Sequence, residues 1–120
     1  MKRLLSTLAV LLGVTAALAG CSSSEPVDLS DDTVIIDVRT PAEFASGHLD
    51  GAINIDVQSA DFAAQVMELD KEGDYFIYCR SGNRSGQAIS QMSQMGFTDM
   101  TNGGGVSQAS DISGIEIVTP

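Results

Sequence analysis

The sequence predicts an α/β domain with a largely parallel sheet. Short runs of apolar, β-branched and aromatic residues, typical of buried strands, lie at 33–38, 52–55 and 75–78. Stretches with helix-start signals or helically spaced apolar residues follow these runs at 40–47, 61–69 and 87–95. Strands that alternate with helices favour a parallel sheet, and such sheets bind ligands at the carboxyl ends of their strands.

Several elements carry their own boundary signals. Thr40 and Glu43 have the spacing of a capping box, with Pro41 at the first helical position. That helix is expected to end near Gly47, and the third helix to end at Gly96. The remaining chain predicts a strand at 97–101, a glycine-rich loop at 102–105, a weak helix or irregular turn at 106–112, and a last strand at 115–118.

Residues 1–20 have the composition of an export signal. A basic start at 1–3 precedes an apolar run at 4–19 that is short for a membrane-spanning helix. The ending Leu-Ala-Gly-Cys, with Cys21 last, resembles the lipobox of bacterial lipoproteins. The resemblance implies cleavage before Cys21, its acylation, and an extracytoplasmic protein anchored in the cell membrane or outer membrane. The alternative is an ordinary signal peptide followed by a chance cysteine.

Two further segments follow the predicted signal peptide. Residues 21–32 are rich in Ser and Asp, lack periodicity and are expected to form a flexible tether. Residues 33–120 are expected to form one domain, of a size that folds alone. With residues 1–20 removed, four basic residues (6 − 2) face sixteen acidic ones, a net charge of −12. Such a surface repels nucleic acid and anionic headgroups, so attachment to a membrane is expected to depend on the lipid.

The segment 79–84 is the candidate functional site. Cys79 lies where a predicted strand ends and a helix begins, and the unpaired N–H groups there lower the pKa of a thiol. Gly82 lets the backbone turn, while Arg80 and Arg84 can bind an oxyanion through paired N–H donors. We expect Arg84 to bind the anion more strongly than Arg80. Neutral donors are expected from Ser81 and Asn83.

The length of this loop favours sulfur chemistry. Four residues separate Cys79 from Arg84, whereas cysteine phosphatases, which have a similar arrangement, place five residues before the arginine. Ser85 occupies the position that a phosphatase arginine would need. A Cys79 thiolate could instead attack a sulfane sulfur and carry it as a persulfide. Phosphatase or arsenate-reductase chemistry is the less favoured alternative.

Three segments, 37–44, 47–55 and 78–85, together resemble a single-domain rhodanese. The resemblance spans residues 33–118 and implies a five-stranded parallel sheet flanked by helices. It implies sulfur transfer from thiosulfate or a related small anion to a thiol or other thiophilic acceptor, without a cofactor. It also implies that Cys79 carries the persulfide within a cradle formed by residues 80–84. A sulfur carrier or sensor with little turnover of its own would use the same cysteine.

The remaining polar residues of these segments have structural interpretations. Asp37 and Arg39 are expected to form a structural pair, with a direct catalytic role as the less favoured alternative. His48 is expected to form a structural hydrogen bond rather than serve as a general acid or base. A metal site is not expected, because the chain has one His and no paired Cys or His at ligand spacing. The sequence departs from the family at Ala109, where a Trp is common, and it contains no Trp. Either other residues have adjusted there, or the C-terminal segment is loosely packed.

Overall fold

A computed structural model describes residues 25–120. The predicted signal peptide and Cys21 lie outside these residues. The strands are β1 (Val34–Asp37), β2 (His48–Leu49), β3 (Ile53–Asn54), β4 (Asp74–Cys79), β5 (Asp99–Gly105) and β6 (Ile117–Val118). The helices are α1 (Pro41–Ala45), α2 (Phe62–Val66), α3 (Asn83–Gln94) and α4 (Val106–Ser113). No helix among the described residues is long and apolar enough to cross a bilayer.

A parallel sheet with strand order β3-β1-β4-β5 confirms the predicted α/β class. The most apolar strands, β1 and β4, occupy its centre, as expected for strands covered on both faces. Ile36 of β1 lies opposite Ile77 of β4 and Ile53 of β3. This arrangement brings the carboxyl ends of β1 and β4 side by side, where Asp37 pairs with Tyr78 in register.

The last strand does not join this sheet, which has four strands rather than the predicted five. In the described residues, β6 pairs antiparallel with β2 as a separate two-stranded ribbon. Val118 lies opposite His48, and Ile117 lies opposite Leu49. Only Leu49 of these four is fully buried, so the ribbon covers one side of the domain instead of extending the sheet.

The predicted start of α1 is confirmed. Thr40 is the N-cap, its side chain accepts from the Glu43 N–H, and the Glu43 carboxylate accepts from the Thr40 N–H at 3.1 Å. Pro41 is at the first helical position. This reciprocal capping satisfies two of the N–H groups that a helix start leaves unpaired. It also fixes the position of the Glu43 side chain.

The glycine-rich stretch after Met100 is strand rather than the predicted loop. Strand β5 runs to Gly105, which lies opposite Cys79. A Cβ at Gly103 would lie 2.6 Å from the Phe76 ring, and one at Gly105 would lie 2.5 Å from the Arg80 carbonyl oxygen. Glycine is therefore needed here for close approach, and the edge of the sheet reaches the cysteine loop.

Each face of the sheet supports its own apolar cluster. Along β4, side chains alternate: Tyr75, Ile77 and Cys79 join one cluster, and Phe76 and Tyr78 join the other. The first cluster also takes residues from α2 and α3, including Phe62, Val66, Ala88 and Met92. The second is completed by residues of the ribbon and α4, including Leu49, Ala109 and Ile112.

The chain before residue 33 is already attached to the second cluster. The Val27 N–H donates to the Ile112 carbonyl at 2.8 Å, and Val27 and Leu29 pack on the cluster. Ala109 is completely buried in the same cluster. Ala109 is therefore packed in a cluster to which the N-terminal segment contributes, so the C-terminal segment is not loosely packed around it. The packed domain consequently begins earlier than the boundary expected from the sequence.

Candidate active site

Cys79 lies at the C-terminal end of the central strand β4, and α3 begins four residues later. Its side chain is completely buried, and it is a free thiol. Between the two elements, Gly82 adopts φ +96° as the N-cap of α3, a conformation that favours glycine. The turn directs the Gly82 N–H at Cys79 Sγ, with the nitrogen 2.8 Å from the sulfur. The loop therefore folds back over the sulfur and donates to it.

Ser85 is a second polar contact of the sulfur. Its hydroxyl is buried and lies 3.4 Å from Cys79 Sγ. The same oxygen is 3.0 Å from the Gly82 carbonyl and 2.7 Å from Asn102 Oδ1. A hydroxyl has one proton and these two groups only accept, so the Ser85 O–H must choose among them and the thiolate.

These contacts determine the protonation of the thiol. Burial alone would raise the pKa of Cys79, because it disfavours the thiolate. The Ser85 hydroxyl and the backbone N–H groups of Ser85, Ser81 and Gly82 act against burial, and their combined effect lowers the pKa below its ordinary value. The site thus favours a thiolate, the nucleophilic form of cysteine.

The two loop arginines have different surroundings. Arg84 Nη1 and Nη2 donate to the two carboxylate oxygens of Glu43 at 2.7 and 2.9 Å. The Glu43 hydrogen bonds raise the pKa of Arg84, burial opposes them, and the nearby Cys79 thiolate raises it further. Arg80 is exposed and has no ion-pair partner among residues 25–120. The two predicted anion-binding side chains are therefore not equivalent.

The two other polar residues of the loop, Ser81 and Asn83, have smaller roles in the site. Ser81 and Asn83 are exposed, and Asn83 begins α3. Ser81 acts on Cys79 through its backbone N–H. Both residues are thus accessible to solvent, and no side-chain hydrogen bond from either to the sulfur is seen within residues 25–120.

Beside the loop, Asp37 and Arg39 form the structural pair predicted from the sequence. Arg39 Nη2 lies 2.7 Å from Asp37 Oδ2, and the side chains are 5% and 0% exposed. Arg39 Nη2 also donates to the Gly47 carbonyl, which connects β1 to the chain leading into β2. The Arg39 guanidinium lies 5.8 Å from the centre of the Tyr78 ring. Burial raises the pKa of Tyr78 above its ordinary range, so the ring hydroxyl stays neutral.

His48 makes local contacts. Its Nδ1 lies 2.9 Å from the Phe44 carbonyl oxygen, and its ring stacks on the Phe44 ring with centroids 3.7 Å apart. These contacts connect β2 to α1 and agree with the predicted hydrogen-bonding role. Within the part of the chain that the structure describes, no group of three or more His, Cys, Asp or Glu side chains could hold a metal ion.

Sequence reasoning missed three residues of this site: Glu43, Ser85 and Asn102. In the sequence, Ser85 marks only the position where a phosphatase would have its arginine. Its position in the first turn of α3, six residues after Cys79, could have suggested a contact with the sulfur. Asn102 and Glu43 are 17 and 41 residues distant from their partners and carried no local signal.

Comparison with known proteins agrees with this geometry. Residues 24–108 match the family described as the rhodanese-like domain. The chain is 38% identical over 71 residues to thiosulfate sulfurtransferase PspE of Escherichia coli, covering 59% of this chain and 68% of that one. It is 35% identical over 101 residues to a sulfurtransferase of Allochromatium vinosum, covering 82% and 91%.

Solved structures lead to the same family. One described as a rhodanese with anions from E. coli superposes with a TM-score of 0.60 at 33% identity, covering 73% of this chain and 99% of that one. A rhodanese-related protein of Thermoplasma volcanium gives a TM-score of 0.60 at 27% identity, covering 74% and 86%. With a matching family domain over most of its length, and a sulfurtransferase relative covered almost end to end, the chain belongs to the rhodanese-like family.

Proposed function

We propose that this protein is a sulfurtransferase that moves a sulfane sulfur from thiosulfate or a related donor to a thiophilic acceptor through a Cys79 persulfide. The observation that carries the proposal is the buried Cys79 sulfur, which accepts the Gly82 N–H and has a lowered pKa. The E. coli relative named a thiosulfate sulfurtransferase supports thiosulfate as the donor.

The reaction has two displacement steps. In the first, the Cys79 thiolate attacks the outer sulfur of thiosulfate, a new S–S bond forms, and the bond to the sulfonate sulfur breaks with its electron pair on departing sulfite. In the second, an acceptor thiolate or cyanide attacks the outer sulfur of the persulfide, and Cys79 leaves as a thiolate. Each leaving group keeps the electron pair of the broken bond, so the cycle needs no external oxidant or reductant.

The loop backbone supports the persulfide stage as well. The N–H that donates to Cys79 Sγ at 2.8 Å in the free enzyme belongs to a turn at Gly82, whose backbone can readjust. If the Gly82 turn moved outward by about the width of one sulfur atom, the same N–H groups could surround the terminal sulfur of the persulfide, as in an anion-binding nest. Movement of this loop is also required for access, because Cys79 has no exposed surface.

Two observations bear on the alternative functions, a cysteine phosphatase and a sulfur carrier. Ser85, where a phosphatase would need its arginine, is buried and in contact with the sulfur, which leaves no guanidinium at that position. Complete burial of Cys79 is compatible with a carrier that holds sulfur for a partner and turns over slowly. A carrier and an enzyme differ in turnover rather than in the persulfide itself.

Thiocyanate production from thiosulfate and cyanide tests the proposed enzyme. We expect turnover by the full chain and its loss in Cys79→Ser, because serine cannot form the persulfide. A stable persulfide on Cys79 without turnover would identify a carrier. Absence of both persulfide and turnover would contradict both functions.

We further propose that the domain works outside the cytoplasm on a lipid anchor at Cys21. The signal-like residues 1–20 and the lipobox-like ending support this setting. Metabolic labelling with a radioactive fatty acid should label the wild-type chain and leave Cys21→Ser unlabelled. Equal retention of Cys21→Ser and wild type in the detergent-soluble membrane fraction would contradict the anchor.

A further inference from the structure

The two loop arginines could both recognise a negatively charged sulfur donor, yet within the described residues only Arg80 is free of an ion pair. Both terminal nitrogens of Arg84 are engaged by Glu43, with side chains 19% and 26% exposed. A guanidinium held in this two-pronged manner cannot present the same two N–H groups to a sulfonate. Arg80, one residue after Cys79, is exposed and unpaired within the described residues.

Glu43 is held firmly in this position. Besides Arg84, its Oε1 accepts from the Thr40 N–H and the Thr40 hydroxyl, each at 3.1 Å. The carboxylate thus belongs to the helix cap as well as to the ion pair. The Arg84 hydrogen bonds lower the pKa of Glu43 to about 2, so it is ionised at any pH where the protein would work.

Pairing of Arg84 with Glu43 matters because the domain has few basic residues and many acidic ones. All sixteen acidic side chains and four of the six basic ones lie in the described residues. Arg39 is paired with Asp37 and Arg84 with Glu43, which leaves Lys71 and Arg80. Lys71 lies beside Gly96, beyond the C-terminal end of α3, whereas the cysteine loop is at the other end of that helix.

We propose that Glu43 is a specificity-determining residue, which withholds Arg84 from substrates and leaves Arg80 as the cation that attracts anions to Cys79. The site then disfavours a doubly charged donor such as thiosulfate relative to sulfane donors of lower charge, such as organic persulfides. This proposal rests on the sulfurtransferase function above. It also reverses the expectation from the sequence that Arg84 binds the anion more strongly than Arg80.

Alkylation of Cys79 by two reagents of matched size and different charge tests the proposal without any sulfur donor. Iodoacetate and iodoacetamide have nearly the same size and differ by one negative charge. Both need the same movement of the loop over the buried sulfur, so the ratio of their rates isolates the charge effect. The full chain is used, and modification at Cys79 is measured by peptide mass spectrometry, which separates it from Cys21.

Glu43→Gln is the informative variant. Glutamine keeps the oxygen that caps α1 and removes the charge that holds Arg84. We expect the iodoacetate-to-iodoacetamide rate ratio to rise roughly three- to tenfold, the effect of one unscreened charge a few ångströms away in a water-like surrounding. In Arg80→Gln the ratio should fall by a similar factor, while Lys71→Gln should leave it unchanged.

A double variant distinguishes an effect of the released Arg84 charge from an effect of altered local structure. Glu43→Gln combined with Arg84→Gln removes a neutral pair, so its ratio should return close to the wild-type value. An unchanged ratio in Glu43→Gln, or a ratio that stays high in the double variant, would overturn the proposal. Should Glu43→Gln fail to fold, the Arg80→Gln and Lys71→Gln ratios still decide, because equal effects of these two would also overturn it.

Steady-state kinetics then connects the result to the reaction. We expect Glu43→Gln to lower the KM for thiosulfate and Arg80→Gln to raise it. If the wild type forms no Cys79 persulfide with thiosulfate or with an organic persulfide while the alkylation ratios behave as expected, the sulfurtransferase function is wrong and the role of Glu43 in selecting charge stands.

Discussion

Two arginine–carboxylate pairs lie beside each other in this protein, and they differ in burial. In the Asp37–Arg39 pair the side chains are 0% and 5% exposed, and the arginine also donates to a backbone carbonyl. In the Glu43–Arg84 pair they are 26% and 19% exposed, at the rim of the cysteine loop. Both pairs have short contacts of 2.7 Å.

Because the two arginine–carboxylate pairs differ in burial, we expect them to have different roles. Charges without access to water depend on each other, so the buried pair should contribute to holding the strands and loops in place. Pairing of charges that keep partial access to water adds little to the free energy of unfolding, so the rim pair should contribute little to stability and act through the charge that it sets near Cys79. Ser85 combines features of both pairs. It is buried, as Asp37 is, and it lies beside the cysteine, at the site to which Glu43 also belongs.

Asp37→Asn should have the largest effect on stability. The substitution leaves the Arg39 charge buried without its counter-charge, and breaking a buried pair in this way costs about 3–5 kcal/mol. Urea unfolding followed by circular dichroism measures the loss. The exposed Asp111→Asn on α4 is the matched control and should unfold like the wild type. An equal midpoint for Asp37→Asn and Asp111→Asn would remove the distinction between the two pairs.

Tyr78→Phe should have the next largest effect, in the same buried region. The Tyr78 hydroxyl accepts the Leu49 N–H at 2.9 Å, and both residues are fully buried. Phenylalanine leaves that N–H without a partner, at a cost of about 1–3 kcal/mol. The same unfolding experiment measures it. A stability equal to wild type would mean that water or a shifted side chain replaces the hydroxyl.

Ser85→Ala should change reactivity more than stability. Removing the hydroxyl removes a contact that favours the thiolate, so the pKa of Cys79 should rise. The iodoacetamide rate of Cys79 against pH reports the thiolate, and its midpoint should move to higher pH. Ser90→Ala, exposed on α3, is the control. A midpoint that does not move, or moves to lower pH, contradicts the assigned contact.

Glu43→Gln should have the smallest effect on stability, less than ~1 kcal/mol at neutral pH. Because Arg84 holds the folded pKa of Glu43 below its ordinary value of 4.5, the contribution of the pair is present above pH 4.5 and is lost as the pH falls, and solvent access to both side chains keeps that contribution small. The variant should lack this part of the pH dependence in urea unfolding, whereas Glu116→Gln should keep it. A loss comparable to that of Asp37→Asn would show that the rim pair is structural.

Local patterns in the sequence predicted much of this architecture. The capping box at Thr40, the boundary of β4 at Cys79 and the end of α3 before Gly96 follow from residues close together in the chain. The Asp37–Arg39 pair spans two residues and was also predicted. The parallel sheet followed from the alternation of strands and helices.

Contacts between distant segments were not predictable in this way. Strand β5 continues through Asn102–Gly105 because glycines fit beneath Phe76 and against the Arg80 carbonyl, and neither neighbour is apparent from a glycine-rich string. The ribbon between β2 and β6 has two residues per strand, too few for a periodic signal. The Glu43–Arg84 pair changes the expected roles of the two loop arginines, and it exists only once α1 and α3 have packed.

Formation of the persulfide tests the central claim most directly. The full chain is mixed with thiosulfate without an acceptor, and sulfite release and the mass of the Cys79 peptide are followed together. The proposed mechanism predicts stoichiometric sulfite and a mass gain of one sulfur atom at Cys79, which cyanide then removes as thiocyanate. No mass gain at Cys79 with thiosulfate or with an organic persulfide, while the thiol still reacts with iodoacetamide, would contradict it.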